Sequence, residues 1–402
     1  MQDVKKNKTL IWENPKQENG EPLITLAVPT LQEGGIPRTV LNLSNNLVNN
    51  GFAVDILVIG NANGPYNKTL DKRIKVIALE ARHPWSAGIP FLFFLSSWIE
   101  IFSDLRKYLD KRDPAILILN RVALPIAVLL FFFNCKFNTI DVVHSVFSKY
   151  VVDEYGRFKY QLVKFFYRCF YKKVDKVVGV SIGVIENLKS LRLISAEKSC
   201  CIYNPVVNWK LIKHSKQITE HPWFFPKANP VCISVGRLSS EKGFEILLLA
   251  FAIVHRSFPN VKLIIYGDGP DRTRLESLCS RLNLSEFVAL PGRTSEPFAY
   301  MAAADVFVLP SLYEGLPTVL IEALASGTTC VATDCPSGPK EILEDGKYGY
   351  LVPVNNAKAL AEGIITALKK PIPKELLRKR ADLFSEERAT KNYIGLIDEI
   401  LQ

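Results

Sequence analysis

The 402-residue chain has no Asp-x-Asp triplet, no His-Glu-x-x-His helix and no Cys-x-x-Cys pair. Without the first, no close carboxylate pair is offered to a divalent ion, so no metal is expected, and no cofactor is expected either. Without the other two, zinc sites and redox disulfides lose their usual ligand spacings. The eight cysteines are scattered apart from the adjacent Cys200 and Cys201, which suits a reducing cytosol better than a disulfide framework. No stretch approaches the ~20 apolar residues that span a bilayer. Residues 1–22 are polar and charged, unlike a secretory signal. The net charge is +10, yet no nucleic-acid-binding module is recognisable, so no nucleic-acid partner is expected.

What the chain does have is globular: 48% hydrophobic and 22% charged residues. Its length exceeds one ordinary core and points to two domains. Charge is uneven. Residues 1–216 hold 30 Lys+Arg and 18 Asp+Glu, a net of +12, which leaves 20 and 22, a net of −2, for the remainder. The basic half carries two apolar runs, 88–102 and 122–134. Either is a core helix by composition. The first is followed by Arg106, Lys107, Lys111 and Arg112, a pattern that also suits shallow insertion at an anionic membrane face. A second basic, aromatic segment, 157–176, includes Phe165, Phe166, Tyr167 and Tyr171.

Apolar strands alternate with helical periodicity along the chain. Strands are expected at 23–29, 52–59, 74–79, 115–119, 139–144 and 176–180, with helices to residue 50 and at 97–112 and 158–173. The second half repeats the plan, with strands near Val231, Val261, Phe287, Val306 and Thr329. Such β-then-α alternation implies an α/β fold of two doubly wound parallel sheets. The polar stretch 208–230, rich in Lys, His and Pro, is the expected hinge.

Three segments carry chemistry. At 313–322 the sequence reads Y-E-G-L-P-T-V-L-I-E, with Glu314 ahead of a helix start and Glu322 inside an apolar helix face. Pro317 suits the first helical position, Gly315 lets a ligand approach the backbone, and the amides through Leu316 and Thr318 form an anion site. A buried Glu322 needs a hydrogen-bond donor, which a sugar hydroxyl or a neighbouring protein group supplies. Arg237 and Lys242 lie between a strand end and the next helix, where two fixed cations suit a diphosphate. Gly34 and Gly35 follow a strand and open a helix, leaving backbone amides near a phosphate or sugar, with Pro37 close behind and Arg38 ending the motif. Y-G-D-G-P-D-R at 266–272 imitates a dinucleotide fingerprint, but Arg272 stands where its third glycine belongs.

G-R-L-S-S-E-K-G, Y-G-D-G-P and A-A-A-D-V-F-V-L-P-S-L-Y-E-G-L-P-T-V-L-I-E-A-L-A-S-G, in that order, resemble the family 4 retaining glycosyltransferases of the GT-B fold. The match is strong over 231–354 and weaker earlier, through Gly34-Gly35 and V-V-H-S at 142–145. Pro37 replaces an acidic residue of many relatives. The resemblance implies two Rossmann-like domains facing across a cleft. An acceptor domain would span 23–208, with 376–402 packing back on it, and a nucleotide-sugar domain 209–375. It implies Arg237, Lys242, Glu314 and His144 as catalytic residues. Gly34, Gly35, Gly267, Arg293, Gly315, Leu316, Pro317, Thr318 and Glu322 would bind substrate, with Glu322 on the ribose and His144 on the sugar. Gly269, Gly292 and the Asn204-Pro205 turn also match family positions. C-P-S-G-P-K-E-I-L at 335–343 is similar to relatives that extend surface polysaccharides. The implied partners are a nucleotide-sugar donor, UDP being the commoner, a lipid-linked or oligosaccharide acceptor, and an anionic membrane surface at the cytoplasmic face. A soluble acceptor, or a binding protein without activity, is the alternative.

Overall fold

The structure is a computed structural model that describes residues 21–32, 34–79, 91–121, 137–213, 221–225 and 227–402. The apolar run 122–134 and the start of 88–102 lie outside the described residues, as do 214–220 and Pro226 of the expected hinge.

Strands form where apolar, often β-branched residues run without interruption. The strand β1 (Leu23–Val28), LITLAV, is buried along its whole length, as a parallel strand covered on both faces must be. It is followed by β2 (Ala53–Val58), β3 (Lys75–Ala78), β4 (Ile116–Asn120), β5 (Asn138–Val143), β6 (Lys176–Gly179) and β7 (Ser199–Cys201). The order in this sheet is β3-β2-β1-β4-β5-β6-β7. The second sheet contains β8 (Val231–Val235), β9 (Lys262–Tyr266), β10 (Val288–Gly292), β11 (Val306–Leu309), β12 (Thr329–Thr333) and β13 (Tyr350–Val352). Its order is β10-β9-β8-β11-β12-β13, all parallel. Each sheet runs outward from its first strand one way and then restarts on the other side. That reversal is the doubly wound topology expected from the sequence, and it leaves a crevice at the carboxyl ends of β8 and β11.

Contact density divides the chain into two compact units. One holds the described residues up to Asp141 with Lys173–Asp175 and Ile397–Gln402; the other holds Val142–Lys172 and Lys176–Leu396. In the first unit, helix Phe91–Arg112 delivers a buried polar cluster. The Arg112 guanidinium donates to both Asp55 oxygens at 2.8 and 2.9 Å. The Tyr108 hydroxyl donates to the same carboxylate at 2.9 Å and meets Thr25 at 2.6 Å. This corrects the sequence reading of Arg112 as a membrane-facing cation. Arg106 and Lys107 likewise pair along their own helix with Asp110 and Asp104.

In the second unit, helix Tyr160–Lys173 buries Val163, Tyr167, Phe170 and Tyr171. Leu162, Phe165 and Phe166 stand outward at 58%, 61% and 49% exposure, between the exposed cations Lys159, Arg168 and Lys172. The core of the second sheet packs helix Phe244–Ser257 against helix Ala357–Lys369 around Leu247, Phe251, Val254 and Ile364. The C-terminal segment is stitched in by main-chain bonds. The Val206 and Val207 amides donate to the Phe384 carbonyl at 3.1 and 3.0 Å, and the Glu386 amide donates to Val207 at 3.0 Å.

Candidate active site

The crevice between β8 and β11 is built by the two loops that leave those strands. After β8 the chain passes Gly236, Arg237 and Leu238 into a single 3-10 turn, Ser240–Lys242, and then into helix Phe244–Ser257. After β11 it passes Pro310 and Ser311 to Glu314 and then into helix Thr318–Ser326. A main-chain bond joins them, the Leu312 amide donating to the Glu241 carbonyl at 2.8 Å. An ion pair closes the gap: Lys242 Nζ lies 2.7 Å from Glu314 Oε1, with the side chains 24% and 10% exposed. The buried Ser311 hydroxyl donates to the same oxygen at 2.7 Å. Two of the expected catalytic residues are thus in direct contact, beside Ser311, which sequence reasoning did not single out. The S-L-Y-E spacing from Ser311 to Glu314 was the available signal.

Arg237 is elsewhere. Its side chain is 72% exposed and its guanidinium lies 3.3 Å from Glu241 Oε1. Burial works against the Glu241 carboxylate, but the Ser239 hydroxyl, the residue's own amide and Arg237 outweigh it and lower its pKa below the ordinary carboxylate value. The sequence reading offered both cations to a diphosphate; in the structure each rests on a carboxylate. Cys335, buried near Glu314, has its thiol pushed up to about 12, by burial first and by the Glu314 charge second. It stays protonated and is no nucleophile at neutral pH.

Gly315 is required by the packing of the chain itself. It is buried, and a Cβ there would collide with the backbone carbonyl of His144. The close approach seen in the structure is that of the protein's own chain. The Gly315 carbonyl accepts the hydroxyls of Ser181 at 2.9 Å and Ser337 at 2.8 Å. So His144, at the end of β5, is set beside Gly315 by main-chain packing. Pro317 also departs from expectation, by one position: it is the N-cap, with φ −69° and ψ 98°, and Thr318 is the first helical residue. Leu316 and Pro317 are buried, and Thr318 is half-buried.

Glu322 lies in the interior of helix Thr318–Ser326 and is 3% exposed, as its apolar neighbours predicted. Gly267, beyond β9, has φ +143° and no room for a side chain, because a Cβ would meet the Gly236 carbonyl. Its amide donates to the Gly292 carbonyl at 2.7 Å, tying the loop after β9 to the one after β10. Arg293 follows on that last loop and is exposed. Gly34 and Gly35 belong to the other compact unit. Gly34 caps helix Gly35–Asn49, and both glycines are exposed at its amino end.

A further cluster escaped sequence reasoning. Both carboxylate oxygens of Glu341 accept the Ile182 amide, at 2.9 and 3.0 Å, and Oε1 accepts the Tyr203 hydroxyl at 2.7 Å. Glu341 therefore caps helix Ile182–Ser190 from 159 residues away. Ser181, its ordinary N-cap, also meets Ser337 at 2.7 Å.

Two doubly wound sheets, with a cation–carboxylate pair at the switch point of the second, make up the frame and the candidate site. Residues 33–207 match the family described as Glycosyltransferase Family 4, and residues 215–384 match Glycosyl transferases group 1. The chain belongs to the family 4 GT-B glycosyltransferases. It is 27% identical over 373 residues to an uncharacterized glycosyltransferase of Haemophilus influenzae, covering 90% of this chain and 94% of the relative. It is 34% identical over 206 residues to the N-acetylgalactosamine-N,N'-diacetylbacillosaminyl-diphospho-undecaprenol 4-alpha-N-acetylgalactosaminyltransferase of Campylobacter jejuni, covering 51% of this chain and 54% of that one. Among solved structures it is similar to Anabaena Alr3699/HepE in complex with UDP and glucose. That likeness has a TM-score of 0.74 at 18% identity, over 94% of this chain and 100% of that one.

Proposed function

We propose that this glycosyltransferase moves a hexose or N-acetylhexosamine from a nucleotide diphosphate sugar, UDP-linked, to a lipid-linked or surface-polysaccharide acceptor, with retention at the anomeric carbon. The observation that carries the reading is the Lys242–Glu314 pair, held with Ser311 at the crevice between β8 and β11. In the reaction the C1–O bond to the diphosphate breaks and its electron pair leaves with the phosphate. The acceptor oxygen forms its new bond to C1 on the same face, and its proton passes to the departing phosphate oxygen. Charge builds on the diphosphate, and groups fixed beforehand around that charge are the largest source of rate. Lys242, Arg237 and the start of helix Thr318–Ser326 supply them without a metal. Glu314 positions Lys242 and the donor sugar, His144 contacts the sugar, and Glu322 takes the ribose hydroxyls. Gly267 and Arg293 border the nucleotide. Residues 23–208, with Gly34 and Gly35, receive the acceptor, and 209–375 bind the donor.

The lipid-linked acceptor is supported by the Campylobacter relative, whose name specifies a diphospho-undecaprenol substrate. It is supported as well by helix Tyr160–Lys173. Leu162, Phe165 and Phe166 fall at i, i+3 and i+4 spacing on one exposed strip, ringed by Lys159, Arg168 and Lys172. Exposed apolar side chains bordered by cations fit the headgroup region of an anionic bilayer. No described helix is long and apolar enough to cross a membrane. Under this reading the enzyme works peripherally, at the cytoplasmic face.

A thermal-shift panel of nucleotides and nucleotide sugars tests the donor, since a ligand of the folded state raises the melting point. UDP and one UDP-sugar are expected to stabilise the protein, and Glu322→Ala is expected to lose that response. A response to GDP compounds alone would overturn the UDP assignment, and silence across the panel would overturn the enzyme reading.

A further inference from the structure

A second concavity, about 560 Å³ in volume, shares no residue with the Lys242–Glu314 site. Trp209, Tyr348, Arg378, Lys379, Asp382 and Arg388 line it, together with Arg380 and Leu383. Four cations therefore face one carboxylate.

Helix chemistry explains part of this. Residues 378–380 close helix Lys374–Ala381, whose carbonyl end favours positive charge. Arg388 has no such excuse. It sits in the first turn of helix Glu386–Leu401, where the same dipole opposes a cation, and Asp382 holds it there at 3.0 Å. Arg380 is committed internally: its guanidinium donates to the carbonyls of Ile342 and Glu341 at 2.9 and 2.6 Å, and it lies 5.4 Å from the Tyr348 ring centre. Arg378 and Lys379 are exposed, and their side chains have no hydrogen-bond or ion-pair partner among the described residues. The Trp209 indole N–H donates to Asp382 at 3.0 Å, which fixes that ring as a wall. With Asp382 engaged by both Trp209 and Arg388, the positive charge of Arg378 and Lys379 is left to something else.

The two wall types call for a ligand with two kinds of surface. Aromatic faces are electron-rich and attract the C–H face of a sugar ring. Guanidinium and ammonium groups bind phosphate or carboxylate oxygens. The volume lies within the ~300–1,000 Å³ of small-ligand sites. We propose that this concavity binds an anionic saccharide, a sugar unit bearing phosphate or carboxylate, separately from the donor site. Such a site would hold a charged stretch of glycan while the crevice acts on another part of it. The binding itself does not depend on the donor assignment.

Calorimetric titration of the full chain with glucose 1-phosphate, glucuronic acid, glucose and inorganic phosphate tests this. The two anionic sugars are expected to bind, while glucose stays silent and phosphate binds more weakly. Arg378→Gln/Lys379→Gln should weaken the anionic sugars at least about tenfold, the usual loss with a charged hydrogen bond, at an unchanged melting point. Glu322→Ala should leave this binding intact even where it abolishes the nucleotide response, which keeps the two sites distinguishable. Unchanged affinity in the double variant would overturn the proposal, as would phosphate binding as tightly as glucose 1-phosphate. Retention on anionic vesicles through Arg378 and Lys379, without saccharide binding, would assign the face to a lipid surface instead and likewise overturn it.

Discussion

Removing Lys242 has two separable consequences, and the structure sets the size of each. Glu314 is only 10% exposed, and in Lys242→Ala it keeps the Ser311 hydroxyl but loses its cation. A largely buried charge with one partner gone destabilises the fold by about 1–3 kcal/mol. For domains of this size each kcal/mol lowers the melting point by about 2–4 °C. On the proposed mechanism the second consequence lies in the transition state, where the ammonium would no longer meet the charge growing on the diphosphate. Loss of one such preset contact slows turnover by about 10²–10³-fold. The assay is transfer from the nucleotide sugar found by thermal shift, run beside melting curves for Lys242→Ala, Glu314→Ala and the double variant. In the double variant no carboxylate is stranded, so stability should recover relative to Lys242→Ala. Turnover should not recover, because the cation is still missing. Near-wild-type transfer by Lys242→Ala would refute the phosphate role, and turnover restored in the double variant would show that the lysine only neutralises Glu314.

Four other outcomes are expected. Arg112→Ala leaves Asp55, 1% exposed on its side chain, facing Tyr108 alone, and denaturant titration should show a loss of about 3–5 kcal/mol. Gly315→Ala drives a methyl into the His144 carbonyl, and because both sides are backbone the same titration should show about 3 kcal/mol, the upper end of overpacking. Phe165→Ser/Phe166→Ser should cut flotation with anionic liposomes at least about tenfold, each Phe contributing about 1.5–3 kcal/mol when buried; unchanged flotation would dismiss helix Tyr160–Lys173 as the membrane contact. Asp71 is lowered from 3.8 to about 2, chiefly by its hydrogen bond from the Arg73 side chain. Because the folded value is depressed, its contribution is present above the ordinary carboxylate pKa and fades as pH falls toward 2. The melting difference between wild type and Asp71→Asn should shrink over that window.

Long apolar strands were legible because burial on both faces demands continuous runs, as in β1, β4 and β8. The short edge strands β7 and β13 were not: S-C-C and Y-L-V are too brief to show a period and exist only because a neighbouring strand offers its hydrogen bonds. Helix Phe147–Tyr155 went unread because Val151 and Val152 favour strands, and packing overrides them. In the site, Lys242 and Glu314, named from separate motifs, do meet. What sequence could not carry was the choice of partner for each side chain. Nothing in G-R-L-S-S-E-K-G says that Arg237 rests on Glu241, and nothing local marks Glu341 as the cap of a helix 159 residues earlier.

The backbones of Gly236 and Gly267 touch each other, as do those of His144 and Gly315, so these stretches of the crevice have no slack to give. Mutational drift at Gly267 and Gly315 is closed, because a side chain at either would meet main-chain atoms. Under the proposed donor assignment, a change in which sugar this scaffold accepts would work through outward-pointing side chains on the same loops, such as the exposed Arg293. A mutagenesis library aimed at new donors would do best to leave the glycines alone and vary the residues between them.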